Sequence, residues 1–212
     1  MKSLSLTRPL VMMVIGIPGA GKSFFARQFS DTFNAPVISF DHLRYAIYEQ
    51  PAHSKAEEAT LQYLAEYQIG ELLKTNKTFI IDGGMNAKVD RLKVEKLARE
   101  AGYGTLVVWV QTDEPTSRLR ATKRKDGRHG DEWNASIAPE QFESYVKRLT
   151  PPSPSESLVV ISGKHTYATQ AKIILKKLVS PREDTHTPHA PSRPSNNNEQ
   201  DPPTRLRSIT IN

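Results

Sequence analysis

Short apolar runs alternate along this chain with longer stretches in which apolar positions recur every three or four residues. The runs are Leu10-Val11-Met12-Met13-Val14-Ile15, Ala35-Pro36-Val37-Ile38-Ser39-Phe40, Phe79-Ile80-Ile81-Asp82, Leu106-Val107-Val108-Trp109-Val110 and Leu158-Val159-Val160-Ile161. Each is a near-continuous apolar run rather than an alternation, which marks strands covered on both faces. Between them the spacing predicts helices over residues 22–33, 42–49, 55–73, 88–101 and 139–149, one starting near Pro115, and a closing one over 167–179. Phe25, Phe29 and Phe33 fall on one face of the first helix, and Leu61, Leu64, Tyr67, Ile69, Leu72 and Leu73 on the apolar side of the long one. Gly102 suits a left-handed helix cap, Pro115 a first helical turn. Strands alternating with helices predict a three-layer α/β fold with a parallel five-stranded sheet.

The first run leads directly into chemistry. It is followed by Gly16-Ile17-Pro18-Gly19-Ala20-Gly21-Lys22-Ser23 and then a helical segment beginning with Phe24, which is the strand, glycine-rich loop and helix of a P-loop. The residue types follow from the task. Glycines let backbone amides wrap a phosphate, the lysine reaches its outer oxygens, and the serine hydroxyl meets a magnesium ion. Gly16, Ile17, Pro18, Gly19, Ala20, Gly21, Lys22, Ser23 and Phe24 are therefore the expected nucleotide-binding residues.

In open α/β sheets ligands sit beyond the carboxyl ends of the strands, so the polar residues at those ends carry the next expectations. They are Asp41, Asp82 and Gln111-Thr112-Asp113. Asp82 follows three apolar strand residues, as a Walker B aspartate does, and is expected with Ser23 at a magnesium ion; the alternative is a turn cap. It precedes Gly83 rather than a glutamate, so the Asp-Glu pair with which many motor ATPases activate water is missing. The Asn-Lys-x-Asp guanine signature fails too, since Asn76-Lys77-Thr78 runs into Phe79. Asp41 suits a general base, the alternative being the N-cap of the helix after it. Arg44 suits an anion ligand or an exposed helix charge. Arg120 and Arg124, four apart, would share one helix face.

Composition redraws the boundaries. Residues 181–212 are rich in Pro, Ser, Thr and Asn and carry as many basic as acidic side chains, so a P-loop domain at 1–180 and a disordered tail at 181–212 are expected. The whole net charge of +6 then belongs to residues 1–180. It is concentrated in Arg118, Arg120, Lys123, Arg124, Lys125 and Arg128, a segment that suits an anionic ligand or a solvated helix face. There is no cysteine, which removes disulfide frameworks and thiolate metal sites. The histidines show no metal-ligand spacing. Trp109 reads as core, and Trp133 either stacks on a base or packs beneath a lid. No run reaches the roughly 20 apolar residues of a membrane span, and a cytoplasmic protein without membrane contact is expected.

Taken together, Gly16–Ser23, Asp41-His42-Leu43-Arg44, Phe79-Ile80-Ile81-Asp82 and the Arg120/Arg124 pair resemble the polynucleotide-kinase-like P-loop kinases, grouped with adenylate-kinase-like and zeta-toxin-like enzymes. The resemblance spans about residues 9–180 and includes Arg148-Leu149-Thr150-Pro151-Pro152. It implies a sheet of order 2-3-1-4-5 and ATP- and Mg2+-dependent transfer to a hydroxyl of a small molecule or a polynucleotide 5′ end. It also implies Asp41 as the base, Arg44 on the acceptor's own phosphate, and Arg120 and Arg124 as arginines of a lid at about 118–133. The family's Thr-Asn pair after the third-strand aspartate is here Gly83-Gly84-Met85-Asn86, a departure on the acceptor side. Two other readings stand beside the kinase. One is an ATP-binding regulatory or partner-binding module without transfer. The other is a nucleic-acid-binding protein, which the lack of aromatics within 118–128 disfavours.

Overall fold

The structure is a computed structural model that describes residues 8–123 and 136–179. Its elements, in chain order, are β1 (Leu10–Ile15), α1 (Lys22–Phe33), β2 (Val37–Ser39), α2 (Phe40–Ile47), α3 (Lys55–Leu73), β3 (Phe79–Asp82), α4 (Lys88–Glu100), β4 (Gly104–Gln111), α5 (Glu114–Thr122), α6 (Pro139–Arg148), β5 (Leu158–Ser162) and α7 (Tyr167–Val179). The strands form one parallel sheet of order β2-β3-β1-β4-β5. β1 lies at its centre, and all six of its residues are buried.

Alternate residues of β1 feed two separate cores. Leu10, Met12 and Val14 face Phe25 and Phe29 of α1 and Ile174 of α7. Val11, Met13 and Ile15 face Leu61, Ala65 and Ile69 of α3 and Val94 and Ala98 of α4. This places a helical layer on each side of the sheet, and every strand carboxyl end opens at one edge.

Local boundaries moved where side chains found partners that periodicity does not reveal. The second strand stops at Ser39, and the helix begins at Phe40, because the Ser39 hydroxyl accepts from the His42 amide and caps it. Asp41 therefore lies inside the first turn of α2 and is not its N-cap. On α3 the buried line is Leu61, Ala65 and Ile69, whereas Tyr67 is exposed. Trp109 packs against the second core. The helix predicted to continue to Arg124 ends at Thr122; Arg124, Trp133, most of the 118–133 segment and residues 181–212 lie outside the described residues. Among the described residues no helix is long and apolar enough to cross a membrane.

Candidate active site

The strand carboxyl ends surround a cavity of about 1000 Å³. Lys22, Ser23, Phe24, Asp41, Arg44, Asp82, Asn86 and Arg120 all line it. Residues read separately from the sequence, on four different elements, are thus gathered around one space.

The loop between β1 and α1 is shaped by close backbone approaches. Gly19 sits at φ +77°, and a Cβ there would lie 2.1 Å from the Ser117 carbonyl of α5. A Cβ on Gly163, just after β5, would lie 1.7 Å from the Ala20 carbonyl, so the loop rests directly against the end of the fifth strand. Thr112 reinforces that contact by donating its hydroxyl to the same carbonyl at 3.0 Å. Asp113, the third strand-end residue, caps α5 instead by accepting from the Thr116 amide. It also pairs with Lys164, and both partners hold its carboxyl far below the usual carboxylate range.

On its other flank the loop is held by Asn86. The Gly16 amide donates to Asn86 Oδ1 at 3.1 Å, and Asn86 Nδ2 donates to the Gly16 carbonyl at 3.2 Å. One side chain thus closes both polar groups of the residue that opens the loop. Asn86 is fixed in turn by Arg91, whose guanidinium donates to the Met85 and Asn86 carbonyls at 3.2 and 3.0 Å. Arg91, 1% exposed, is paired through Nε with Glu156 at 2.6 Å, and Glu156 also accepts from the Ser153 amide and hydroxyl. Sequence reading placed no role on Arg91 or Glu156. Their separation along the chain leaves no local signal.

Lys22 folds back so that Nζ donates to the Ile17 carbonyl at 3.1 Å, holding its ammonium over the loop. Phe24, 49% exposed, presents an open ring at the cavity. Asp82 is 5% exposed, and its Oδ1 is buried without a hydrogen-bond partner. Desolvation pushes its carboxyl up to about 6, opposed by the Ser23 hydroxyl bonded to it and by the Lys22 charge, with nearby Asp41 adding to the rise. A buried, unsatisfied carboxylate oxygen beside a serine hydroxyl fits a magnesium ion, whose charge would restore ionisation. Among the described residues no cluster of three or more His, Cys, Asp or Glu stands ready to hold a metal alone. Phosphate and water oxygens would have to complete the ion's shell.

The other half of the cavity is built by α2, α3 and α6. Asp41 is exposed at its edge. Arg44, in contrast, is 4% exposed: NH1 donates to Glu57 at 3.1 Å and NH2 to Glu58 at 2.7 Å, while Nε is buried without a partner. It is not the exposed helix charge that one reading allowed. Glu57 also accepts from the Ala52 and His53 amides, both at 2.7 Å. The loop before α3 is thereby folded onto Arg44. Burial, joined by the Arg44 charge, lowers the His53 imidazole below its usual value. The Tyr145 hydroxyl lies 3.3 Å from His53 Nδ1, and burial, aided by the Glu58 charge, pushes it up to about 12. Gly83 and Gly84 make room for Phe40: a Cβ on Gly84 would lie 2.2 Å from its ring.

The basic segment is divided. Arg118 is tied by Glu114 and Glu143 and lies over the Phe142 ring, so it fastens α5 to α6. Arg120 is exposed at the cavity, with NH1 3.3 Å from the Gly163 carbonyl.

Solved structures share this architecture at low sequence identity. A sugar kinase from Janibacter sp. matches with a TM-score of 0.57 and 16% identity over 81% of this chain and 94% of that one. The Mycobacterium tuberculosis APS kinase CysC, in complex with AMPPNP and APS, matches at 0.59 and 17% over 82% and 99%. Chaetomium thermophilum Kti12, in complex with ADP-AlF3, matches at 0.58 and 18% over 80% and 100%. These likenesses concern the fold. No curated protein matches the chain. The sequence itself answers to a family model described as an AAA domain over residues 11–152, a span running from the first strand past α6 and including the loop, Asp41, Asp82 and Asn86. The chain belongs to that AAA domain family.

Proposed function

We propose that this protein is an ATP-dependent kinase that transfers the γ-phosphoryl group to a hydroxyl. The observation that carries the reading is that one cavity is lined both by Lys22, Ser23 and Asp82 and by Asp41. A nucleotide binder needs only the first set, whereas a carboxylate facing the same space gives an acceptor hydroxyl somewhere to leave its proton. Support also comes from the fold neighbours, two of them described as kinases and two solved with AMPPNP or ADP-AlF3.

In this scheme the Lys22 ammonium and loop amides other than that of Gly16, which is bonded to Asn86, hold the phosphates. Ser23 and Asp82 hold the magnesium ion, which neutralises charge on the phosphate oxygens when bound. Asp41 accepts the proton of the acceptor hydroxyl as that oxygen bonds to the γ-phosphorus and the bond to the β-phosphate oxygen breaks, releasing ADP. Arg120 turns to the transferring phosphate, and a role on the same phosphate is assigned to Arg124, which lies outside the described residues. The relation to polynucleotide-kinase-like and zeta-toxin-like enzymes is part of this proposal, as is a cytoplasmic setting.

A module that binds ATP without transfer is the competing reading. Arg44 does not argue against it, because both terminal nitrogens of its guanidinium are engaged within the protein. Asp41 does. Following ADP release with uncharged alcohols, nucleosides and 5′-hydroxyl oligonucleotides separates the two. Acceptor-stimulated release that disappears in Lys22→Ala supports the kinase, and tight ATP binding with no stimulation by any acceptor supports the module.

A further inference from the structure

The acceptor half of the cavity has an electrostatic design that the kinase proposal does not use. Its buried cation is Arg44, whose charge is already set against two glutamates. NH1 and NH2 each donate to a carboxylate, of Glu57 and Glu58 respectively, and Nε is buried without a hydrogen-bond partner. A phosphate ester is gripped best by a guanidinium whose charge is not already neutralised, and Arg44 is over-compensated. With two glutamates on one arginine, this cluster is net negative. Asp41 and Asp90 line the same space and add to it. Against them stand Lys147 and Arg148 at the end of α6, exposed and screened as Asp41 is, so the balance is set by the buried Arg44–Glu57 pair and the half-buried Glu58.

The remaining wall offers uncharged hydrogen-bonding groups. Gln62 contributes an amide, Tyr145 a phenol and His53 an imidazole, and the last two are already within 3.3 Å of one another. Burial keeps Tyr145 protonated and favours neutral His53, so both are dipolar rather than ionic partners. Such a lining suits hydroxyls, which both donate and accept, better than a dianion.

We infer that the acceptor is an uncharged, hydroxyl-rich small molecule, and that the Arg44–Glu57–Glu58 cluster turns away acceptors already carrying a phosphate. This rests on the kinase proposal for the identity of the site, but the charge preference is a property of binding and is tested without turnover. Rejection works by repulsion: a phosphate ester placed beside Glu58 and Asp41 meets like charge, next to an arginine already paired with two carboxylates. In the transfer step the incoming hydroxyl oxygen bonds to the γ-phosphorus, its proton passes to Asp41, and the β-phosphate oxygen leaves with ADP. The product then carries the charge the site disfavours, which promotes its release.

The test is calorimetric titration of the full chain, held with AMPPNP and Mg2+, against paired probes: glucose, ribose and thymidine, each beside its phosphate monoester, and a short 5′-hydroxyl oligonucleotide. At least one uncharged probe is expected to bind tenfold or more tightly than its ester and than the oligonucleotide. Glu58→Gln, which removes one negative charge beside Arg44, is expected to narrow that gap at least threefold. Raising the salt concentration on the unaltered protein is expected to narrow it in the same direction and needs no variant to fold. A phosphate ester or the oligonucleotide binding more tightly than every uncharged probe overturns the inference, as does failure of all the uncharged probes to bind. Binding of an uncharged probe without any ADP release on ATP leaves the inference standing and overturns the kinase proposal instead.

Discussion

At Asp82 the protein holds a carboxyl where water would otherwise be preferred. Its titration near about 6 rather than 3.8 means that ionisation in the folded state is disfavoured by about 3 kcal/mol. The sign follows from linkage. The folded-state value is raised, so the contribution is fully present below about pH 4 and is lost as pH rises through about 6. In denaturant unfolding without magnesium, the unaltered protein is therefore expected to lose about 3 kcal/mol relative to Asp82→Asn between about pH 4 and pH 7. A difference that stays flat across that window contradicts the desolvated carboxyl. Added Mg2+ with ATP is expected to raise the melting temperature of the unaltered protein and to do so far less in the variant. At Asn86 the expectation concerns the loop. Asn86→Ala removes both bonds to Gly16, each worth about 1 kcal/mol, and is expected to weaken ATP binding roughly 10- to 30-fold in a fluorescent-nucleotide titration.

Among the elements, α4 and the turn before β5 are joined by the buried Arg91–Glu156 pair, which also sets the position of Asn86. Removing one partner strands a buried charge, so Glu156→Gln is expected to destabilise the fold by about 3 to 5 kcal/mol in denaturant unfolding. ATP affinity is expected to fall with it, as Asn86 loosens. An ATP affinity unchanged in Glu156→Gln would show that the pair does not bear on the loop. Nothing in the local pattern of residues 88–100 distinguishes Arg91 from its neighbouring charges, because its partner lies 65 residues away. The same holds for Arg44, whose glutamates come from the next helix. By contrast, strand and helix identity was legible wherever burial repeats at short range, as in β1 or in the Phe25, Phe29 face of α1. Boundaries failed where one cap decided them. Ser39 accepting from His42 starts α2 two residues before the apolar pattern suggests.

For the molecule as a whole, sheet order β2-β3-β1-β4-β5 brings the carboxyl ends of β1, β2 and β3 side by side, and so places the loop, Asp41 and Asp82 around one cavity. The strand ends and the glycine pattern were legible because both are local features, whereas the sheet order that gathers them came only from the family resemblance. The acceptor half was not legible, since its character depends on which charges α2 and α3 cancel between them. The account stands or falls on whether Asp41 takes a proton during transfer. The direct measurement is the acceptor-dependent rate of ADP release under saturating ATP and Mg2+ for the unaltered protein and Asp41→Asn, with the phosphorylated product identified by phosphorus NMR. A rate lowered about 100- to 10,000-fold with ATP affinity unchanged is the predicted result. An undiminished acceptor-dependent rate in Asp41→Asn would contradict it.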